Sequence, residues 1–207
     1  MFTILRIDAH ATADRMPTEY AALAASGRTD VVLKQADAET PEQLVAAAQE
    51  ADVLLTDCAM LTGAVLQQLP RCRAIIRYGV GYDTVDVATA SKCGIAVVNV
   101  PDFCNEEVSN HVMMFLLAAA KKLKPLDALV RQGQWAQRPM GSIHGETLGI
   151  IGCGNLGRSV AVKAHAFGMP VIGYSPHTPQ PLLNAAGIRA VGFEELLQTA
   201  DYISVNT

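Results

Sequence analysis

The run LGIIGCGNLGRSVA, residues 148–161, passes from an apolar, strand-like segment through a glycine turn into a helix-like one. Gly152, Gly154 and Gly157 fit the spacing G-x-G-x-x-G where that spacing has a mechanism, after a strand and at the start of a helix. Gly152 permits the tight turn, Gly154 lets a pyrophosphate come up against the backbone, and Gly157 lets helix and strand pack closely. The amides of Asn155 and Leu156 would then face the phosphates from the positive end of the helix dipole. The stretch predicts dinucleotide binding; the alternative reading is a glycine turn kept only for packing.

An acidic residue usually closes the next strand and holds the ribose hydroxyls of such a ligand. Here that strand runs into Gly173-Tyr174-Ser175-Pro176-His177, with Ser175 in the ribose-facing place. A serine can hydrogen-bond a ribose hydroxyl but does not repel a 2′-phosphate as a carboxylate does. No Lys or Arg lies between Gly173 and Leu183 to welcome that phosphate. NAD is therefore the expected cofactor, with weakened discrimination against NADP.

Outward from this motif, strand and helix signals alternate along the whole chain. Short β-rich runs occur at 2–7, 31–35, 52–56, 74–79 and 95–100. Helical patterns lie between them, among them TPEQLVAAAQ, where Thr40, Pro41 and Gln43 form a capping box with proline at the first helical position. This implies a small α/β domain over 1–100, a parallel sheet covered on both faces. A long helix is predicted from Glu106 to Lys124, capped by Asn105 and followed by Pro125. Its middle, VMMFLLAAA, is apolar all round and so reads as buried on every side. With the stretch 125–147, partly helical and then loop-like, which holds Trp135 either as an exposed contact or as a plug of the local core, it forms a linking segment over 101–147. From 148 to 207 the alternation resumes with strands at 148–152, 170–175, 188–191 and 202–206.

Composition narrows the classes of function. Half of the 207 residues are hydrophobic, 17% are charged and the formal charge is −4, as in an ordinary globular protein. Only Lys121, Lys122 and Lys124 gather positive charge, which argues against a nucleic-acid surface. Cys58, Cys72, Cys93, Cys104 and Cys153 are odd in number and form no C-x-x-C pair, so free thiols, no zinc site and a reducing cytoplasm are expected. FTILRID lacks a basic leader, and the apolar run Val112 to Ala120 falls short of the roughly 18 residues of a membrane span.

Four ordered motifs, over nearly the whole chain from about residue 52 onward, give it a family likeness. Arg77-Tyr78-Gly79-Val80-Gly81-Tyr82-Asp83-Thr84-Val85-Asp86 resembles the loop R-x-G-x-G-x-D-x-[VI]-D of the D-isomer-specific 2-hydroxyacid dehydrogenases. Gly94 to Val97 with Asn99-Val100-Pro101, Glu107 to His111, and His144 to Gly152 resemble that family's next strand and turn, its domain-linking helix and the start of its cofactor domain. Several of these stretches look most like the branch containing the C-terminal-binding-protein corepressors and their bacterial enzyme relatives. The resemblance implies a flavodoxin-like substrate domain, an incomplete Rossmann domain, a small 2-hydroxy or 2-oxo acid as substrate, and a homodimer built through 105–147. It also implies that the amides of Val80 and Gly81 hold the substrate carboxylate, a role for which a glycine-flanked backbone nest is suited. Val80 would touch the nicotinamide end of the cofactor as well, and Phe103 would form a cleft wall, unless it is an ordinary core residue. Asn110 stands where the family usually has Asp or Glu, and the sequence offers no account of that departure.

The family's catalytic Arg, Glu and His stretches do not occur among these residues, and all would follow Thr207. The strand count agrees, since four strands make up only part of a dinucleotide fold of order 3-2-1-4-5-6. His10, His111, His144, His165 and His177 have no carboxylate partner at a suggestive spacing, so no catalytic or metal-ligating residue is assigned. The expectation is the N-terminal portion of an NAD-dependent dehydrogenase, inactive alone. The alternative is a non-catalytic NAD-binding interaction module of corepressor type.

Overall fold

A computed structural model describes residues 1–8, 16–135 and 137–207, which fall into two compact units, Met1–Phe103 and Cys104–Thr207. His10 lies outside the described residues. In the first unit, strands β1 (Phe2–Ile7), β2 (Val31–Ala36), β3 (Val53–Thr56), β4 (Ala74–Arg77) and β5 (Ala96–Val98) form one parallel sheet of order β2-β1-β3-β4-β5. That is the flavodoxin-like order, whose reversal of direction falls between β1 and β3.

Helices α2 (Pro41–Ala48), α3 (Gly63–Leu66) and α4 (Val87–Lys92) bury Leu44, Val65 and Ala90 against Leu5, Ile7, Leu54 and Ile75 of one sheet face. The capping box of α2 is formed as expected, with Gln43 N–H donating to Thr40 Oγ1 at 3.3 Å and the Gln43 side chain reaching back. Such a cap is worth about 1 kcal/mol. The opposite face departs from expectation. Among the described residues of this unit, α1 (Pro17–Ala25) is the helix that lies over it, and a groove of about 640 Å³ runs along Ile4, Leu33, Val53 and Ile76. The helix α4 was not foreseen in the sequence. It starts at Asp86, whose carboxylate accepts from Thr89 N–H at 2.9 Å, so the final Asp of the R-x-G-x-G-x-D-x-V-D loop is a helix cap.

In the second unit, α5 (Asn105–Ala120) and α6 (Leu123–Arg131) precede β6 (Leu148–Ile151), α7 (Asn155–Ala166), β7 (Val171–Tyr174), α8 (Gln180–Ala185), β8 (Arg189–Ala190), α9 (Phe193–Thr199) and β9 (Tyr202–Val205). The parallel order β8-β7-β6-β9 is the 3-2-1-4 portion of a Rossmann sheet, with its switch point between β6 and β9. Met113, Leu116 and Ala120 of α5 share a core with Leu148, Ile150, Val160 and Ala164.

Three expectations for the 105–135 segment are corrected. The long helix breaks at Lys122, which adopts a left-handed φ of 50°, and Pro125 sits in the first turn of α6, where its missing N–H costs nothing. Asn105 is the first helical residue rather than the cap; Cys104, at φ 62°, holds the cap position without a side-chain bond. The middle of α5 is not buried all round, since Met114 and Phe115 are exposed. Trp135 is 89% exposed and closes no core. All five cysteines are free; burial pushes the Cys153 thiol up and the Cys72 thiol to about 11. Among the described residues no helix is long and apolar enough to cross a membrane.

Candidate functional site

The glycine turn occupies the switch point of the second sheet, directly after β6. Gly152 has φ +86°, and a Cβ there would lie 2.7 Å from the carbonyl oxygen of Asn206, at the end of β9. A Cβ on Gly157 would land on the Gly152 carbonyl oxygen. Both positions therefore demand glycine for packing alone. Gly154 differs: among the described residues, its chain neighbours apart, nothing lies within 4 Å of where its Cβ would be. The space that its missing side chain leaves faces outward, which is what a ligand approaching the backbone requires.

No side chain among the described residues caps α7. Among the described residues the amides of Leu156 and Gly157 donate to nothing, while Arg158 N–H closes the first helical bond on Gly154 at 3.0 Å. Bare amides at the positive end of a twelve-residue helix form an anion site. The turn is held from behind by Arg158, which donates to Cys153 O at 3.1 Å and to Asn155 Oδ1 at 2.8 Å. From the other side Thr178 donates to the same Cys153 carbonyl at 3.2 Å, and its hydroxyl lies 2.8 Å from that of Ser175. Gly152, Gly154, Asn155, Leu156, Gly157 and Ser175 thus belong to one connected site, and these residues fit a dinucleotide.

The loop expected to hold a carboxylate lies in the first unit. The loop after β4 is pinned by its carbonyls. Gly79 O accepts from Val100 N–H at 2.9 Å, and Val80 O accepts from Asn99 Nδ2 at 2.7 Å. Each peptide group is planar and trans, so holding those two carbonyls aims the N–H groups of Val80 and Gly81 the opposite way. Neither amide has a partner among the described residues, and Val80 is 45% exposed. Gly79 lies under the Arg77 guanidinium, where a Cβ would collide with Nη1, whereas a Cβ on Gly81 would meet only ordinary contact with Asp83.

Beside this loop is a cavity of about 430 Å³ lined by Arg6, Glu19, Asp57, Arg77, Tyr78, Val100 and Phe103. Phe103 is 53% exposed, so it is a wall of that cavity and not a core residue. Tyr78 donates to Glu19 Oε1 at 2.7 Å, and burial together with that carboxylate pushes the phenol well above its ordinary range. Arg77 Nη2 lies 3.4 Å from Asp57 Oδ1, and its Nε is buried with no hydrogen-bond partner among the described residues.

Residues 113–207 match the family model described as the NAD binding domain of D-isomer specific 2-hydroxyacid dehydrogenases. D-3-phosphoglycerate dehydrogenase of Methanocaldococcus jannaschii is 36% identical over 171 residues, covering 81% of this chain and 33% of that protein. The chain belongs to the D-isomer-specific 2-hydroxyacid dehydrogenases. Glyoxylate reductase of Korarchaeum cryptofilum is 35% identical, covering 74% of this chain and 47% of that one. The solved structure of D-lactate dehydrogenase from Aquifex aeolicus, complexed with NAD and lactic acid, superimposes with a TM-score of 0.81 at 26% identity, covering 98% of this chain and 60% of that one. The chain spans about a third to a half of the length of the curated dehydrogenases it matches. NAD is the cofactor of the matched domain.

Against this dehydrogenase background, no described histidine has a carboxylate partner. His111 stacks edge-on against Phe115 at 4.5 Å, and a ring nitrogen of His165 lies 3.2 Å from Gly187 O. Sequence reasoning missed Asp8. At the switch point of the first sheet its carboxylate, 5% exposed, accepts from Thr56 Oγ1 at 3.0 Å and from the amides of Asp57, Cys58 and Ala59 at 2.7–3.1 Å. The anion-binding crevice of a flavodoxin-like sheet is here filled by the protein's own side chain. The only signal was an acid at the end of the first strand. Asn99 and Thr178 were also missed, because they donate to carbonyls about twenty residues away; Arg158 was missed although its partners lie within five residues.

Proposed function

We propose that the protein is an NAD-dependent oxidoreductase acting on the CH–OH group of a small 2-hydroxy acid, or in reverse on the 2-oxo acid. The observation that carries this reading is the pair of bare amides at Val80 and Gly81, held outward by Asn99 and the Val100 backbone. They would grip the substrate carboxylate, with Phe103 as an apolar wall. Gly152, Gly154, Asn155, Leu156 and Gly157 would hold the pyrophosphate and Ser175 the adenosine ribose, with Val80 near the nicotinamide. When bound, NAD supplies the hydride chemistry. The exposed Met114 and Phe115 of α5, together with Trp135, support a homodimer formed through the 105–147 segment.

The test is an amide-resolved NMR titration of the 207-residue chain with oxamate, an unreactive 2-oxo acid analogue. The Val80 and Gly81 resonances are expected to move in a saturable way, and Asn99→Ala is expected to weaken binding several-fold. Because the family's Arg, Glu and His stretches are not among these residues, no turnover of glyoxylate or pyruvate with NADH is expected. Unmoved Val80 and Gly81 resonances would contradict the carboxylate assignment, and robust turnover would contradict the expected inactivity of these 207 residues alone.

A further inference from the structure

We infer that Thr178 sets the cofactor preference of this chain by taking the only proton of the Ser175 hydroxyl, which leaves Ser175 an acceptor toward the ligand and favours NAD(H) over NADP(H). The inference rests on the placement of Ser175 at the adenosine ribose proposed above.

The direction of the hydroxyl chain follows from its far end. Cys153 O is a backbone carbonyl and can only accept, so the 3.2 Å contact uses the single proton of Thr178. The remaining contact of Thr178 Oγ1, 2.8 Å from Ser175 Oγ, must then run from serine to threonine. Ser175 keeps its lone pairs and has no proton left to give. Toward a ribose it behaves as a carboxylate would, accepting from the 2′-hydroxyl. A 2′-phosphate, largely stripped of protons near neutrality, offers no donor to those lone pairs and needs donors that Ser175 lacks.

The surroundings supply few others. Residue 176 is proline and has no N–H, while the Thr178 amide closes on Ser175 O at 3.3 Å. No Lys or Arg occurs from Gly173 to Ile188, and Arg189 is paired with Glu195 at 2.6 Å. His177 is exposed, and because it is common to every variant below, its contribution cancels when the ratios of parent and variant are compared. The same hydroxyl chain anchors Ser175 to the carbonyl of the glycine turn, so Thr178 acts on the ligand through Ser175 and is a positioning residue.

The experiment is calorimetric titration of the purified chain and its variants with NADH and with NADPH, read as the ratio of the two dissociation constants. Thr178→Val keeps the shape and removes the hydroxyl; it is expected to cut the preference for NADH about fivefold, roughly the worth of one net hydrogen bond. Thr178→Ser is expected to restore the preference. Ser175→Ala should abolish it, and adding Thr178→Val to Ser175→Ala should change the ratio no further. A merely structural role for Thr178 would weaken both nucleotides alike and leave the ratio unmoved. An unchanged ratio in Thr178→Val, with NADH still bound, overturns the inference alone. An unchanged ratio in Ser175→Ala overturns it even where Thr178→Val does not fold. Failure of the parent chain to bind either nucleotide overturns both the inference and the ribose assignment.

Discussion

Replacing Gly154 with alanine is expected to leave thermal stability within about 1 kcal/mol of the parent while weakening NADH at least ~10-fold. The two effects separate because of where the added methyl goes. Among the described residues, its chain neighbours apart, nothing lies within 4 Å of that position, so the fold accommodates it. A pyrophosphate seated on the α7 amides would have to pass through the same space. Gly157→Ala makes the contrasting case. Its methyl would strike the Gly152 carbonyl oxygen, a backbone atom that cannot swing aside, and about 1–3 kcal/mol of stability should be lost along with binding. Differential scanning calorimetry and NADH titration of both variants check the pair. Equal affinity for NADH in parent and Gly154→Ala would show that the glycine turn serves packing only.

Asp8→Ala should cost the first unit about 4 kcal/mol or more, because it deprives three backbone amides and the Thr56 hydroxyl of one buried acceptor. Set against a typical stability of about 5–15 kcal/mol, that loss brings the unit close to unfolding. Asp8→Asn keeps one carbonyl oxygen and is expected to cost about half as much. Hydrogen exchange at the amides of Asp57, Cys58 and Ala59 reports the change at its source, and denaturant titration reports its size. A loss below about 1 kcal/mol would mean that water or a rearranged loop replaces the carboxylate.

What could be read in the sequence was whatever depends on neighbours a few residues apart. The capping box at Thr40 and Gln43, the strand-turn-helix at 148–161, and the alternation that yields two parallel sheets all have periods or spacings visible in one dimension. The three glycines of the turn have distinct surroundings: Gly152 and Gly157 have backbone atoms against them, and Gly154 has open space among the described residues. What escaped depends on partners far along the chain. Asp8 is held by groups some fifty residues later, and Thr178 donates to a carbonyl twenty-five residues earlier. The break at Lys122 escaped because Pro125 was read as the end of one helix when it opens the next. The helix at Val87–Lys92 escaped because Asp86, counted as part of a substrate-loop motif, is its cap. The apolar middle of α5 suggested burial on all sides, yet hydrophobicity records what a face would prefer to touch and not whether this chain supplies the partner.

The most direct measurement is a calorimetric titration of the folded 207-residue chain with NADH. Saturable heat at one nucleotide per chain is the predicted result, with the amides of Leu156 and Gly157 shifting in parallel NMR spectra. A cooperatively melting sample that takes up neither NADH nor NADPH would contradict the claim that the mouth of α7 is a dinucleotide site.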